Sequence, residues 1–87
     1  MKEQIPTIPV SVLSIMRSKS FRAGFADARA GRPFGVDDQP EDEQWGYERG
    51  WAFARIYPRT ALHDSAGRVS HHARMLLGIA FRDRTIL

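Results

Sequence analysis

A nine-residue phrase written twice is the feature that most limits what this chain can fold into. Phe21-Arg22-Ala23-Gly24-Phe25-Ala26-Asp27-Ala28-Arg29 and Tyr47-Glu48-Arg49-Gly50-Trp51-Ala52-Phe53-Ala54-Arg55 share one order: aromatic, two variable residues, Gly, aromatic, Ala, one variable residue, Ala, Arg. Positions i, i+3, i+4 and i+7 fall on one face of a helix. Phe21, Gly24, Phe25 and Ala28 therefore make one stripe, and Tyr47, Gly50, Trp51 and Ala54 make another. Each stripe is a shallow notch between rings. A glycine inside a helix costs roughly 1 kcal/mol relative to alanine, so close backbone approach and rings packed over the neighbour's notch must return more than that. The repeat predicts helices laid side by side. A shorter echo, Gly78-Ile79-Ala80-Phe81-Arg82, follows Gly50-Trp51-Ala52-Phe53-Ala54 with Met75 in the place of the leading aromatic, and predicts a further helix.

Punctuation along the chain sets the boundaries. Pro6 and Pro9, with Ile5, Ile8 and Val10 around them, predict an extended arm over residues 1–10, because proline holds itself and its predecessor extended. Ser11 is a candidate N-cap for a helix over about 11–30, with Ser18 and Ser20 as points where it can break, and Gly31 and Pro33 closing it. Pro40 opens a second helix over about 40–57, its first turn filled by Glu41, Asp42 and Glu43, which stabilise the positive end of the helix dipole; Pro58 stops it. Apolar residues ring most of that helix, which places it between its neighbours. A third, over about 65–83, starts near Asp64-Ser65 or Ser70 and carries Val69, Ala73, Leu76, Leu77 and Ala80 at helical spacing. The expected fold is all-α: one domain over 11–87, a three-helix unit whose first two helices form an antiparallel hairpin, preceded by the arm.

With 87 residues the chain is sized for one domain. It has no cysteine, which excludes a disulfide scaffold and any thiolate metal site and fits a reducing compartment. No basic run followed by an apolar stretch opens it, and no apolar run reaches the roughly 20 residues that span a bilayer, so a cytoplasmic chain without membrane contact is expected.

The net charge of +3 is unevenly spread. Residues 17–32 hold Arg17, Lys19, Arg22, Arg29 and Arg32 against Asp27; residues 33–48 hold Asp37, Asp38, Glu41, Asp42, Glu43 and Glu48 and no base; residues 49–87 hold seven arginines against Asp64 and Asp83. Eleven of the 13 bases are Arg, whose planar guanidinium suits bidentate contact with phosphate or carboxylate. Candidate nucleic-acid or partner contacts are Arg22, Arg29, Arg32 and Arg55, with Trp45 and Tyr57 as aromatic anchors drawn from a helix that has more rings than one seam absorbs. Arg29 and Arg55 end the repeated phrase, a place where a cation also favours a helix C-terminus.

Catalytic chemistry finds no foothold. The acidic stretch has no calcium-loop spacing, and helix-dipole chemistry accounts for most of it. His71 and His72 point about 100° apart on a helix, unlike an i, i+4 metal pair. His63-Asp64-Ser65 names the residue types of a hydrolytic triad, but consecutive positions cannot set a base between nucleophile and orienting acid. A non-enzyme without cofactor or metal is expected.

The paired phrases resemble the ribosome modulation factor family, short bacterial two-helix proteins that bind the small ribosomal subunit and help shut translation down. The matching residues are Phe21, Gly24, Gly31 and Arg32, then Tyr47, Gly50, Trp51, Ala54 and Arg55, covering about residues 17–57. The acidic loop from Pro33 to Glu41 and the added third helix depart from that pattern. The resemblance implies a binding protein that engages ribosomal or other structured RNA to regulate translation. The alternative is a protein-binding inhibitor or adaptor, such as a phage-encoded, anti-CRISPR-like antagonist of a larger host complex, suited by the acidic stretch, the proline-punctuated arm and the surplus rings. A homodimer joined through those rings is a further arrangement the composition allows.

Overall fold

Serine side chains set most of the helix starts. The computed structural model describes residues 11–86, so the arm expected over residues 1–10 lies outside the described residues. Four α-helices are present among them: α1 (Val12–Arg17), α2 (Lys19–Arg29), α3 (Gln44–Ile56) and α4 (His71–Arg82), with 3-10 turns at Val36–Asp38 and Glu41–Glu43. The architecture is all-α. Ser11, Ser18 and Ser70 each accept a hydrogen bond on Oγ from the amide three residues on, at 3.1, 3.2 and 3.0 Å, satisfying a donor that a helix start leaves unpaired. Ser18 also donates to the Ile15 carbonyl at 2.7 Å and takes an extended backbone, φ −66° and ψ 147°. One serine thus ends α1 and begins α2, and the single helix expected over 11–30 is two.

At the other end of α2, Gly31 enters the left-handed region at φ 73° while the Arg32 amide reaches the Asp27 carbonyl and the Gly31 amide the Ala28 carbonyl. Glycine takes that conformation without steric cost, and these two bonds occupy carbonyls the helix end leaves free. The acids Glu41, Asp42 and Glu43 form a 3-10 turn that leads into α3. The third expected helix starts at Ser70 rather than at Asp64-Ser65. Residues 57–70 instead form a loop in which Asp64 Oδ1 accepts from the Ala66 and Arg68 amides and His63 pairs with Val69 in an isolated antiparallel bridge.

The two repeated phrases meet each other. A methyl group on Gly24 would collide with the Tyr47 carbonyl and lie 3.0 Å from the Trp51 nitrogen; one on Gly50 would collide with the Phe21 carbonyl and lie 3.0 Å from the Phe25 nitrogen. Phe21 and Phe25 occupy the same places in the first phrase as Tyr47 and Trp51 in the second, so the contact is reciprocal, an approximate two-fold relation within one chain. Its direction corrects the antiparallel expectation. Near the start of α2, Ser20 touches Gly46 near the start of α3, while Arg29 at the end of α2 donates to the carbonyls of Tyr57 and Thr60 beyond the end of α3. The two helices run in the same sense. Residues 30–43 permit this, since even partly coiled they can return along the roughly 16 Å length of an 11-residue helix.

The two sides of this pair are finished differently. On one, Phe21 and Phe53 pack with ring centroids 6.0 Å apart, joined by Met16, Leu62, Ala73, Leu77, Ala80 and Ile86 from α1, the 57–70 loop, α4 and the chain beyond it. Both α1 and α4 cover this same side, so α3 is not sandwiched between the other helices as its apolar girth suggested. On the other side, the return segment lays Phe34 against Tyr47 and Trp51 at 5.7 and 5.2 Å. There the buried Tyr47 hydroxyl donates to Asp27 Oδ2 at 2.5 Å and accepts from the Gly35 amide at 3.0 Å. Apolar cover of α3 therefore comes from a loop as well as from helices.

The third echo is different. An added Cβ on Gly78 would meet only a Val12 methyl, at 3.9 Å, so Gly78 is not a notch for another backbone. Gly24→Ala and Gly50→Ala are each expected to destabilise the fold by about 2–4 kcal/mol because the obstructing atoms are main chain. Gly78→Ala, where the new methyl makes only an ordinary contact on a helix, is expected to stabilise by about 0.5–1 kcal/mol. Thermal and urea unfolding followed by circular dichroism measures all three; equal effects would refute the assignment of the notch. Tyr47→Phe is expected to cost about 1–3 kcal/mol, since it strips a partner from Asp27 and from the partly buried Gly35 amide, and to speed hydrogen exchange at Gly35 beyond the change at helix amides.

Candidate nucleic-acid interface

Each arginine nominated from the sequence has a defined place, and they do not share one face. Arg29 is a surface strut between α2 and the end of α3. Its guanidinium stacks over the Phe25 ring at 4.3 Å and donates to the Tyr57 and Thr60 carbonyls at 2.7 and 2.6 Å, satisfying acceptors where α3 ends. Its pKa is lowered from the usual arginine value by desolvation. Arg32 is held by Asp27, Nε to Oδ1, at 3.0 Å. Asp27 in turn accepts the hydrogen bond of the Tyr47 hydroxyl, and burial followed by that hydrogen bond raises the Tyr47 pKa. Arg55 is exposed on the last turn of α3.

The aromatic candidates also divide. Tyr57 is half-buried and packs at 5.2 Å on the fully buried Phe53, whereas Trp45 is 54% exposed. The Trp45 ring is covered on one face by the guanidinium of Arg49, itself only 8% exposed and facing Phe81 at 5.0 Å. Desolvation there lowers the Arg49 pKa to about 10. Trp45, Arg49 and Ala52 follow one face of α3 and border a cavity of about 440 Å³ completed by Glu48, Thr85 and Ile86.

Arg22 alone among the nominated arginines faces a basic groove. Arg17, Arg22, His63, Gly67, Arg68 and Val69 line one concavity; an adjoining one shares Arg17, Arg68 and Val69 and adds Leu13, Asp64, His71 and Arg74. Local structure explains the convergence. Arg17 is the last residue of α1, and the break at Ser18 turns the chain so that Arg22, one turn into α2, faces the same space. The Asp64 carboxylate pins the tight turn that presents Arg68, and Gly67 completes the turn at φ 81°. Arg74 and His71 lie one turn apart at the start of α4.

Four guanidinium groups thus face one acid. Among the described residues none of Arg17, Arg22, Arg68 and Arg74 forms an ion pair, and the Asp64 Oδ1 accepts from two amides. Such a surface favours polyanions. The sequence reading missed Arg68 and Arg74. Asp64 to Gly67 is a legible turn, and His71 with Arg74 a legible i, i+3 pair, but nothing local links either to α1. Among the described residues no group of His, Asp or Glu converges to hold a metal ion, and no helix is long and apolar enough to cross a membrane.

Arg29→Ala is expected to lower stability by about 1 kcal/mol, the scale for charged hydrogen bonds discounted for exposure, whereas Arg22→Ala stays within about 0.5 kcal/mol of the parent. Urea unfolding distinguishes them, and equal stability of the two variants would remove Arg29 from its structural role. No protein-family model, curated protein or solved structure matches this chain.

Proposed function

We propose that this protein acts by binding rather than catalysis, and that it binds structured RNA, such as ribosomal RNA, to regulate translation. The observation that carries this reading is the groove in which Arg17, Arg22, Arg68 and Arg74 converge without ion-pair partners among the described residues. Each guanidinium that neutralises a phosphate releases condensed counterions, so affinity falls with salt in proportion to the contacts made. The resemblance to ribosome modulation factor in the paired phrases points to the same partner class, but the contact residues differ from those the phrase nominates. Arg29 and Arg32 serve the fold, and the groove supplies the phosphate contacts.

Fluorescence anisotropy with a labelled fragment of small-subunit ribosomal RNA, titrated across potassium chloride, tests this. The expected result is a linear fall of log affinity with log salt whose slope shrinks by about 1–2 in Arg17→Ala with Arg68→Ala. Absence of binding at low salt, or a double variant that binds like the parent, would overturn the proposal.

A second reading, an inhibitor or adaptor that occupies a larger protein, is favoured by one observation. Trp45, Met75 and Ile79 are exposed, the last two one turn apart on α4. That reading expects a complex insensitive to salt and weakened by Met75→Glu, the reverse of the groove's behaviour.

A further inference from the structure

We infer that the groove holds the sugar-phosphate backbone of a double-helical segment rather than the unstacked bases of a single strand. This rests on the RNA-binding reading above and narrows it to one form of nucleic acid.

The shape of the charge is the first argument. Arg22 borders only one of the two adjoining concavities and Arg74 only the other, while Arg17 and Arg68 border both. The four cations are therefore strung along a trough, which suits a row of phosphates better than one phosphate group. The turn that carries Arg68 is tied by both amide bonds to Asp64, and Arg17 is fixed at the break capped by Ser18. A row of cations on short, tied elements matches a backbone whose phosphates are regularly spaced.

The second argument is where the rings are. Proteins that hold single strands stack successive bases on aromatic side chains, worth about 1–3 kcal/mol per base, whereas double-helical RNA is recognised by shape and through its phosphates and 2′-hydroxyls. No Phe, Tyr or Trp borders either concavity. Phe34 lies against Tyr47 and Trp51, and Trp45 is stacked with Arg49 beside different cavities. The two imidazoles in the groove, His63 and His71, stand among four guanidinium groups and add polar contacts there. A single strand laid in the trough finds charge without a stacking platform, so its bases gain nothing from leaving each other.

The test compares a labelled RNA duplex of about 16 base pairs with each of its separated strands at one low salt concentration, in full-length protein, with a scrambled duplex as a further probe. The duplex is expected to bind at least about tenfold more tightly than either strand, and the scrambled duplex within about twofold of the first. Arg22→Ala with Arg74→Ala should weaken duplex binding at least about tenfold, while Trp45→Ala leaves it within about twofold. Circular dichroism of both variants confirms folding, so a loss reports the groove. Single strands that bind as tightly as the duplex, or a Trp45→Ala variant that loses strand binding, would overturn the inference while leaving RNA binding intact. Failure of both duplex and strands to bind at low salt would overturn the RNA-binding reading itself.

Discussion

Everything else in this structure is arranged around the place where two helix backbones touch. Gly24 sits against the peptide of Tyr47 and Gly50 against that of Phe21, with no room for a methyl group at either. That approach converts two positions of low helix propensity into close backbone-to-backbone contacts. Because the same phrase supplies both halves, each notch receives the backbone that carries the other's rings. The same-sense crossing then dictates the connection. A chain leaving the end of α2 must travel back to the start of α3, and residues 30–43 do so along the pair, bringing Phe34 and Gly35 onto Tyr47.

A repeat that paired symmetrically in all respects would leave two equal sides, and the chain breaks that equality at two positions, one of them Phe21 against Tyr47. Asp27 in the first phrase stands where Phe53 stands in the second. The corresponding contacts are Phe21 with Phe53 and Tyr47 with Asp27, one apolar and the other a hydrogen bond. The apolar side is the one α1 and α4 cover, since two rings removed from water can recruit further apolar surface at about 25 cal/mol per Å². The polar side is completed by a loop, which brings an amide to Tyr47 and a guanidinium to Asp27 and so satisfies groups that a helix face would have left unpaired. Two differences between the phrases, Phe21 against Tyr47 and Asp27 against Phe53, thus separate the helical layer from the looped one.

This bears on what the residues could announce by themselves. The paired helices, the stops at Gly31 and Pro58, the cap at Ser11 and the all-α class were legible because each is decided within a few neighbouring residues. The direction of the pair was not. A stripe of Phe21, Gly24, Phe25 and Ala28 is the same stripe whether its partner runs with it or against it, and only the register of Ser20 with Gly46 and of Arg29 with Tyr57 separates the two. The echo at Gly78 misled for a related reason: glycine in a helical pattern signals either close approach or mere tolerance, and its neighbours in sequence do not say which.

The phrase misdirected the search for the site in the same way. Arg29 drew attention because it recurs with Arg55, yet what recurs in a packing motif is what packing needs, and Arg29 stacks on Phe25 and holds the carbonyls where α3 ends. A surface able to bind something else must come from positions that packing leaves uncommitted. Arg17, Arg22, Arg68 and Arg74 are such positions, since their elements are placed by Ser18, by Asp64 and by the apolar faces of α1 and α4 while the guanidinium groups remain outside the core. Nearly the whole of the repeat lies between Arg17 and Arg22 on one hand and Arg68 and Arg74 on the other. No window short enough to show periodicity could contain the groove, and the fold that joins its halves is the one the two glycines permit.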